Sequence, residues 1–318
     1  MAQINNQPLL SLCIPIYNRL AYLERQLARM LEDKDLFDEQ IQLIISDNCS
    51  TDDLRSCCDK YHQQGLKLLY HCQDTNIGPD GNFDWCFHHA NGKYVWLLGS
   101  DDIPQKGVLT KLLNHLTNND YGLVHLAMQK RECELTILQN SNDMAATISY
   151  WITYMSANII RTESLNNLDL SKYLGSYIIQ VPAYLNACCS YPNNAIVYLP
   201  SFFEIENDTK NNGGLNLFEV FVKNLFGIYE SFIKRGMLSV EAFERIKKVE
   251  FKEFLSCRVV WVLILKRDEN YFTEGSWRTL WKYYGTKAYA YYYIIYMILR
   301  ELKITILLGL RKVLLYNR

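Results

Sequence analysis

The stretch YVWLLGSDD, residues 94–102, says more about the fold than any other part of this sequence. Residues 94–98 are mostly large and uncharged, as in a strand that is buried on both faces of a parallel sheet. Gly99 and Ser100 end the run, and Asp101 and Asp102 follow directly. Two adjacent carboxylates repel each other unless a cation lies between them, and hard divalent cations prefer oxygen ligands. The stretch therefore predicts a strand that ends in a metal site carrying a phosphorylated ligand.

Strand and helix patterns alternate before this stretch. Apolar runs at residues 9–16 and 41–45 predict strands, residues 67–71 predict a third short strand, and leucines at helical spacing predict a helix over residues 20–31. This order is typical of a mostly parallel, Rossmann-like α/β sheet flanked by helices, which binds ligands at the carboxyl ends of its strands. Asp47 closely follows the second run. We therefore expect it at the same edge as the acid pair.

The later segments give a coarser prediction. Residues 107–116 and 122–128 predict a helix and a strand, residues 148–160 a strand, and residues 161–165 a short helix. Residues 195–199 predict a further strand. The periodicity of residues 215–233 and 240–265 predicts long helices.

The composition is that of an ordinary globular protein, with 49% hydrophobic and 21% charged residues among 318. Charge is distributed unevenly. Residues 1–231 carry 16 Lys and Arg against 26 Asp and Glu, whereas residues 232–318 carry 17 against 8. The acidic first part argues against a general nucleic-acid-binding protein, and the basic second part suits an anionic partner.

The first residues have no basic segment and no long apolar core, so they do not resemble a secretory signal. The ten cysteines include adjacent pairs at residues 57–58 and 188–189, but none has the CxxC spacing of a zinc site. These features predict free thiols in a reducing cytoplasm.

The C-terminal stretch, from residue 281, is rich in Tyr and Ile and is interrupted by Lys and Arg. Its longest uncharged run, residues 288–299, is too short to span a bilayer. An aromatic, basic segment of this kind is suited to lie on an anionic membrane surface. We therefore predict a catalytic domain at residues 1–231 and a helical, membrane-peripheral region at residues 232–318, on the inner face of the plasma membrane.

Three motifs carry a resemblance to a known family: LSLCIPIYNR at residues 10–19, LIISDNCSTDD at residues 43–53, and the long motif of residues 74–104 that contains WLLGSDD. Together they resemble the nucleotide-sugar-binding half of glycosyltransferase family 2 enzymes with the GT-A fold. The WLLGSDD variant is most similar to the abequosyltransferase-like branch, whose members build O-antigen and capsule. The resemblance is strong up to Pro104 and weak beyond it.

The resemblance assigns roles to individual residues. It places the base and ribose of the nucleotide near Pro15, Tyr17, Asn18, Arg19 and Asp47, and the diphosphate near Asn76, Gly78 and Asn82. In the acidic motif of Ser100, Asp101 and Asp102, Asp101 would contact the ribose and a metal-bound water, and Asp102 would bind Mn²⁺ or Mg²⁺ directly.

One position departs from the family pattern. Gly81 stands where many relatives carry a basic residue, so the diphosphate charge must be balanced by the metal or by another cation.

The residue that would deprotonate the acceptor is missing from its expected place, because residues 170–203 contain no Asp or Glu. The base could be displaced to one of four nearby acids: Glu163, Asp169, Glu204 or Glu206. Alternatively, the transfer could be retaining and use no carboxylate base, or the chain could bind the donor without efficient turnover. We favour displacement.

The resemblance implies a metal-dependent hexosyl- or deoxyhexosyltransferase. Its donor would be a nucleotide diphosphate sugar and its acceptor a polyprenyl-diphosphate-linked saccharide in O-antigen or capsule synthesis. A nucleotidyltransferase is disfavoured, because the loop after the first strand lacks glycine and carries only Arg19 as a basic residue. A non-catalytic nucleotide-sugar-binding module of a polysaccharide assembly complex is the remaining alternative.

Overall fold

The structure is a computed structural model, and it describes residues 7–204, 214–267 and 270–316. The chain divides into two compact units. The first comprises Met1–Asp208 with Lys234–Leu238, and the second comprises Thr209–Ile233 with Ser239–Arg318. Glu206, one of the four acids considered as a base, lies outside the described residues. The division predicted at residue 231 remains a prediction.

The first unit is built on a mixed sheet of eight strands, counted over the described residues. The strands are β1 (Leu10–Ile16), β2 (Ile41–Asp47), β3 (Leu69–Cys72), β4 (Tyr94–Leu97), β5 (Leu123–Leu126), β6 (Leu135–Leu138), β7 (Asn158–Arg161) and β8 (Asn194–Val197). Their order across the sheet is β3-β2-β1-β4-β7-β5-β8-β6.

Strands β1 to β4 are parallel, and their register decides which residues meet at the ligand-binding edge. Ile16 pairs with Asp47, and Cys13 pairs with Leu97. The segments that follow β1, β2 and β4 therefore leave the sheet at the same edge. Strand β7 runs antiparallel to both β4 and β5, whereas β8 is parallel to β5 and β6 closes the sheet in the antiparallel sense.

Helices connect the strands of this unit. They are α1 (Leu20–Leu31), α2 (Lys34–Glu39), α3 (Leu54–Gln63), α4 (Gly78–His89), α5 (Val108–Thr117), α6 (Ser141–Ile148) and α7 (Gln180–Ser190). Helix α1 buries Leu23 and Leu27, and Trp96 of β4 is fully buried. Burying large apolar side chains stabilises the fold by about 1.5–3 kcal/mol for each side chain.

The remaining helices are α8 (Leu225–Lys234), α9 (Val240–Glu250), α10 (Ser256–Arg258), α11 (Ser276–Tyr284) and α12 (Ala288–Tyr316). Wider π-helical turns occur at Glu219–Asn224, Phe251–Leu255 and Val259–Ile264. Within the described residues, no helix has both the length and the apolar character needed to cross a membrane.

The predicted fold class is confirmed, and most elements agree with the sequence patterns. The helix predicted at residues 20–31 coincides with α1. The strand predicted over residues 148–160 is wrong, because strand structure is confined to Asn158–Arg161 and 3-10 turns occupy Ser149–Thr153 and Met155–Ala157. The short helix expected near residues 161–165 is the 3-10 turn Thr162–Leu165.

Candidate active site

Asp102 lies at the centre of a cluster of hydroxyl groups beyond the carboxyl end of β4. The hydroxyl of Tyr154 donates a hydrogen bond to Asp102 Oδ1 at 2.5 Å, and Ser156 Oγ donates one to Oδ2 at 2.5 Å. Burial raises the pKa of the Asp102 carboxyl, while the bonds from Ser156 and Tyr154 act in the opposite direction. Both carboxylate oxygens are therefore held in fixed positions.

The backbone of the acidic loop is fixed as well. Gln26 of α1 is fully buried, and its Nε2 donates to the carbonyl oxygens of Gly99 at 2.7 Å and Asp102 at 2.8 Å. The N–H of Gly99 donates to Ser156 Oγ at 2.8 Å. A Cβ atom at Gly99 would lie 2.7 Å from Asp102 Oδ2. Only glycine fits here without displacing the carboxylate.

Arg19 joins the loop after β1 to the acidic motif. Its Nη1 lies 3.2 Å from Asp101 Oδ2 and donates to Ser100 Oγ at 3.2 Å. The side chains of Arg19 and Asp101 are 32% and 49% exposed, so solvent screens this ion pair. Asp101 is therefore the accessible acid of the pair, and Asp102 is the one that neighbouring residues hold in place.

Asp47 lies at the same edge, as predicted, but its carboxylate is buried and engaged. Its Oδ1 accepts the N–H of Ser50 at 2.9 Å, and its Oδ2 accepts the hydroxyl of Tyr70 at 2.6 Å. The Asn18 side chain links the two neighbouring loops, because its Oδ1 accepts the N–H of Thr51 at 2.7 Å. The carboxylate of Asp47 thus organises the loop that follows β2.

Tyr17 and Pro15 differ in their exposure. Tyr17 is 45% exposed beside this edge, whereas Pro15 is buried within β1 opposite Ser46.

The three residues assigned to the diphosphate lie around the start of α4, with Asn76 just before the helix and Gly78 and Asn82 in its first two turns. Asn76 Oδ1 accepts the N–H of Gly78 at 2.9 Å and Asn48 Nδ2 at 3.0 Å. Gly78 has φ +75°, a conformation that favours glycine, and open space surrounds the position of a Cβ atom. Asn82 is buried, and both of its side-chain polar atoms bond to Ser46. In this structure Asn82 anchors α4 to the end of β2.

The structure separates the candidate bases. Glu163 follows Arg161, which pairs with Tyr94 at the amino end of β4, so Glu163 lies at the opposite edge of the sheet from Asp102. Glu163 Oε2 accepts the hydroxyl of Tyr191 at 3.3 Å.

Asp169 caps the 3-10 turn Leu170–Tyr173. Its Oδ1 accepts the N–H and the hydroxyl of Ser171, and hydrogen bonding from Ser171 lowers the pKa of Asp169. This carboxylate is exposed and serves the local turn.

Glu204 is the acid that the fold brings next to the acidic motif. Its backbone N–H donates to the carbonyl oxygen of Ile103 at 2.8 Å, and Phe203 and Pro104 form an isolated antiparallel bridge. The ring of Phe203 packs edge-on to Tyr154, whose hydroxyl bonds to Asp102. Glu204 is exposed at this point. The backbone of Glu204 therefore lies beside the residue that follows Asp102.

The acid pair fits a metal ion that arrives with a phosphorylated ligand. The described residues contain no group of three or more His, Cys, Asp or Glu that could hold a metal ion by itself. Each oxygen of Asp102 accepts one hydroxyl and keeps further lone-pair capacity. Mg²⁺ is commonly held by one or two carboxylates together with substrate phosphates, so the oxygens of Asp101 and Asp102 are suitable ligands.

The sequence did not indicate the role of three residues that support this site. Gln26 lies among the leucines of α1, and Tyr154 and Ser156 lie in irregular structure more than 50 positions after Asp102. The only signal was the polar side chain of Gln26 between two apolar positions of a helical pattern.

Comparisons with known proteins agree with this architecture. The family model described as glycosyl transferase family 2 matches residues 11–174. The abequosyltransferase RfbV of Salmonella typhimurium is 30% identical over 192 residues, which cover 53% of this chain and 57% of that protein. A second relative is the GalNAc(5)-diNAcBac-PP-undecaprenol beta-1,3-glucosyltransferase of Campylobacter jejuni, 30% identical over 33% of this chain and 34% of that protein. The chain thus spans less than two thirds of either relative.

Two solved structures share the fold. S. aureus TarS 1-349 in complex with UDP-GlcNAc has a TM-score of 0.59 and 19% identity, over 86% of this chain and 80% of that one. The mannosyltransferase PcManGT of Pyrobaculum calidifontis in complex with GDP-Man and Mn²⁺ has a TM-score of 0.51 and 15% identity, over 94% and 88%.

Proposed function

Because the chain belongs to glycosyl transferase family 2, we propose that it transfers a hexose or deoxyhexose from a nucleotide diphosphate sugar to a polyprenyl-diphosphate-linked saccharide. The product would extend a bacterial surface polysaccharide such as O-antigen or capsule. The observation that carries the proposal is the common edge of β1, β2 and β4, where Arg19, Asp47 and the acid pair meet. The names of the two relatives support these substrate classes, since one is an abequosyltransferase and the other a glucosyltransferase named for a PP-undecaprenol-linked saccharide.

Different residues of this edge would contact different parts of the donor. Asp102 would bind Mn²⁺ or Mg²⁺, and Asp101 would face the ribose and the metal-bound water. The metal would supply Lewis-acid stabilisation to the nucleoside diphosphate as the sugar leaves. Asn76 and Gly78 offer an amide side chain and an unobstructed backbone toward the diphosphate. Tyr17 offers an exposed ring toward the base.

We assign the general base to Glu204, which the backbone bond to Ile103 brings beside the acidic motif. A base must come within hydrogen-bond reach of the acceptor hydroxyl, and such a group contributes typically 10²–10⁴-fold to the rate. Glu163 and Asp169 are engaged at other places. A carboxylate base implies a single displacement with inversion at the sugar.

Nucleotide release tests the donor half of the proposal. We expect the wild type to release nucleoside diphosphate from its sugar donor in the presence of Mn²⁺. Asp102→Asn should abolish release. The matched control is Asp120→Asn, which removes an exposed carboxylate that pairs with Lys93 and Arg161 at the amino end of β4. Donor binding without release by the wild type would instead favour the non-catalytic module.

Substitution of the acids tests the base. Glu204→Gln should lower acceptor-dependent release by about 10²–10⁴-fold and leave donor affinity unchanged. Glu163→Gln and Asp169→Asn should retain activity. Wild-type rates in Glu204→Gln would refute the assignment and leave Glu206 or a retaining transfer as the remaining explanations.

We also propose that the C-terminal helices attach the protein to an anionic membrane surface on the cytoplasmic side, which would make residues 232–318 a membrane-contacting region. Helix α11 exposes Trp277 and Trp281, with 55% and 70% of their surface accessible. The exposed residues Arg278 and Lys282 follow them directly. Aromatic and basic side chains at the same helical spacing are typical of helices that lie in a membrane interface.

Helix α12 also exposes aromatic, apolar and basic side chains. Tyr292, Tyr296 and Leu299 are 63%, 54% and 60% exposed and recur at a spacing that forms one stripe. Arg300 and Lys303 are exposed beside it. A water-exposed helix normally presents polar residues on this face. The apolar stripe would contact the acyl chains of the membrane, and the adjacent basic side chains would contact the anionic headgroups.

Vesicle co-sedimentation tests the attachment. The protein should bind phosphatidylcholine vesicles that contain phosphatidylglycerol and be released when the anionic lipid is omitted. The double substitution Trp277→Ser and Trp281→Ser should reduce binding. Ile137→Ser, which removes an exposed apolar side chain of β6, is the control. Equal binding to neutral vesicles would contradict the charge argument.

A further inference from the structure

A buried carboxylate holds the loop that precedes α7. Asp80 lies in the first turn of α4, two residues after Gly78, and is only 5% exposed. Its Oδ2 accepts the N–H of Tyr177 at 2.9 Å, and its Oδ1 accepts the N–H of Ile179 at 3.3 Å. We name residues 174–179 the rim loop. Asp80, at the start of α4, thus holds the rim loop in place through two hydrogen bonds.

The other end of the rim loop is tied to the support of Asp102. Gln180, the first residue of α7, donates from Nε2 to the carbonyl oxygen of Thr153 at 2.9 Å. Thr153 directly precedes Tyr154, which bonds to Asp102. The rim loop is therefore bonded to the start of α4, and the residue that follows it is bonded to the turn that precedes Tyr154. Gln180 Oε1 is buried and has no hydrogen-bond partner within the described part of the chain.

Tyr177 is held in an unusual conformation and still faces solvent. Its φ is +64°, in the left-handed region that non-glycine residues seldom occupy, and its N–H is one of those bound by Asp80. The residue is 55% exposed, and Leu174 is 52% exposed. A strained backbone that presents a large ring to water lacks the packing gain that would normally compensate for the strain. Such strain persists where the surrounding structure enforces it, and it is concentrated at ligand-binding sites.

We infer that Tyr177 contacts the saccharide of the acceptor and that Asp80 is the residue that positions it. The inference rests on the proposed transferase function and identifies the acceptor side of the same site. The residues assigned to the nucleotide lie in or directly after β1, β2 and β4 and around the start of α4, and none belongs to the rim loop, which is left for the second substrate. A tyrosine has an apolar face and a polar tip. It therefore complements a pyranose ring, which has C–H faces and a hydroxyl edge.

The test separates acceptor binding from donor binding. The acceptor probe is a pool of polyprenyl-diphosphate-linked saccharides extracted from bacterial membranes. The readout is the pool concentration that half-maximally stimulates nucleotide release. Donor affinity and release without acceptor are measured on the same preparations. The melting temperature reports the fold of each variant.

Tyr177→Gly removes the ring and tolerates the left-handed backbone, so loss of fold does not accompany loss of contact. We expect it to raise the half-maximal acceptor concentration by about tenfold or more, as for a central aromatic contact, with donor affinity unchanged. Tyr177→Phe keeps the ring and should stay near the wild type. Asp80→Asn should raise the acceptor concentration severalfold, whereas Asp84→Asn, one turn further along α4, should not.

Two results would overturn the inference while the transferase proposal stands. One is an unchanged acceptor requirement in Tyr177→Gly, and the other is a loss of donor affinity by the same factor as acceptor affinity. A wild-type chain that neither binds nor cleaves a nucleotide sugar would overturn the transferase proposal and this inference together.

Discussion

Replacing Ser156 by alanine tests whether the hydroxyl cluster maintains the metal-binding carboxylate. The Ser156 side chain is fully buried and has two partners. Its Oγ accepts the N–H of Gly99 at 2.8 Å and donates to Asp102 Oδ2 at 2.5 Å. The substitution deletes both bonds and adds no new polar group.

The expected magnitude follows from those two bonds. A buried N–H without a partner costs about 1–3 kcal/mol, and a lost hydrogen bond to a charged group about 1.5–3 kcal/mol, partly offset because Asp102 keeps its bond to Tyr154. We expect the free energy of unfolding to fall by about 3 kcal/mol. That corresponds to a decrease in melting temperature of about 6–12 °C for a domain of this size. Affinity for Mn²⁺ should fall about 10–100-fold, as for other residues that orient metal ligands.

The assay combines thermal unfolding with Mn²⁺ binding followed by electron paramagnetic resonance in the presence of a nucleotide diphosphate. Ser164→Ala is the matched control, because Ser164 is also buried and its hydroxyl donates to the carbonyl oxygen of Arg161 at 2.7 Å, away from the acid pair. It should lower stability without altering Mn²⁺ affinity. If Ser156→Ala and Ser164→Ala lose stability alike and bind Mn²⁺ equally well, the hydroxyl cluster does not serve the metal site.

Three further predictions concern other parts of the first unit. Gly99→Ala should abolish donor binding, measured by calorimetry, because the new methyl group would lie 2.7 Å from Asp102 Oδ2. Burial lowers the pKa of His125 to about 4 in the folded protein, whereas in the unfolded chain it is about 6.5. As the pH falls, this histidine is therefore protonated in the unfolded chain before it is protonated in the folded protein. The stability His125 contributes is complete above about pH 6.5 and is lost as the pH falls toward 4, and the melting temperature of His125→Gln should depend less on pH in that window. Asp52→Ala removes the acceptor of the Leu20 N–H at the start of α1, and urea unfolding should show a loss of about 1 kcal/mol.

The sequence predicted which sheet edge the proposed donor residues share, because these residues lie at or shortly after the ends of their strands. In a parallel sheet, residues at the ends of neighbouring strands meet whatever the rest of the chain does. Ile16 pairs with Asp47, so the ends of β1 and β2, which carry the first two motifs, lie side by side. For Arg19, Asp47 and the acid pair, the position along the chain relative to a strand end is therefore enough to predict the position in the fold.

The segments that support the site could not be predicted in the same way. Helix α7 buries residues on all sides, from Gln180 to Cys188, so it has no polar face to generate a helical pattern. The apolar residues between 148 and 160 resemble a strand, but Ser149 takes φ +47° at the end of α6 and the chain continues in 3-10 turns. The hydrogen bonds of Tyr154 and Ser156 to Asp102 depend on that irregular path.

The charge balance at the site also follows from the fold. A Cβ at Gly81 would lie 3.1 Å from Ile77 Cγ1, so a basic side chain there would require Ile77 to shift. The structure offers Arg19 instead, since its guanidinium reaches Ser100 and Asp101 from the loop after β1. A metal that arrived with the diphosphate would take over the charge of Asp101. The guanidinium, whose planar donors match phosphate oxygens, would then be available to the leaving group. In the proposed complex, Arg19 and the metal would together supply the positive charge that a basic residue at position 81 would otherwise provide.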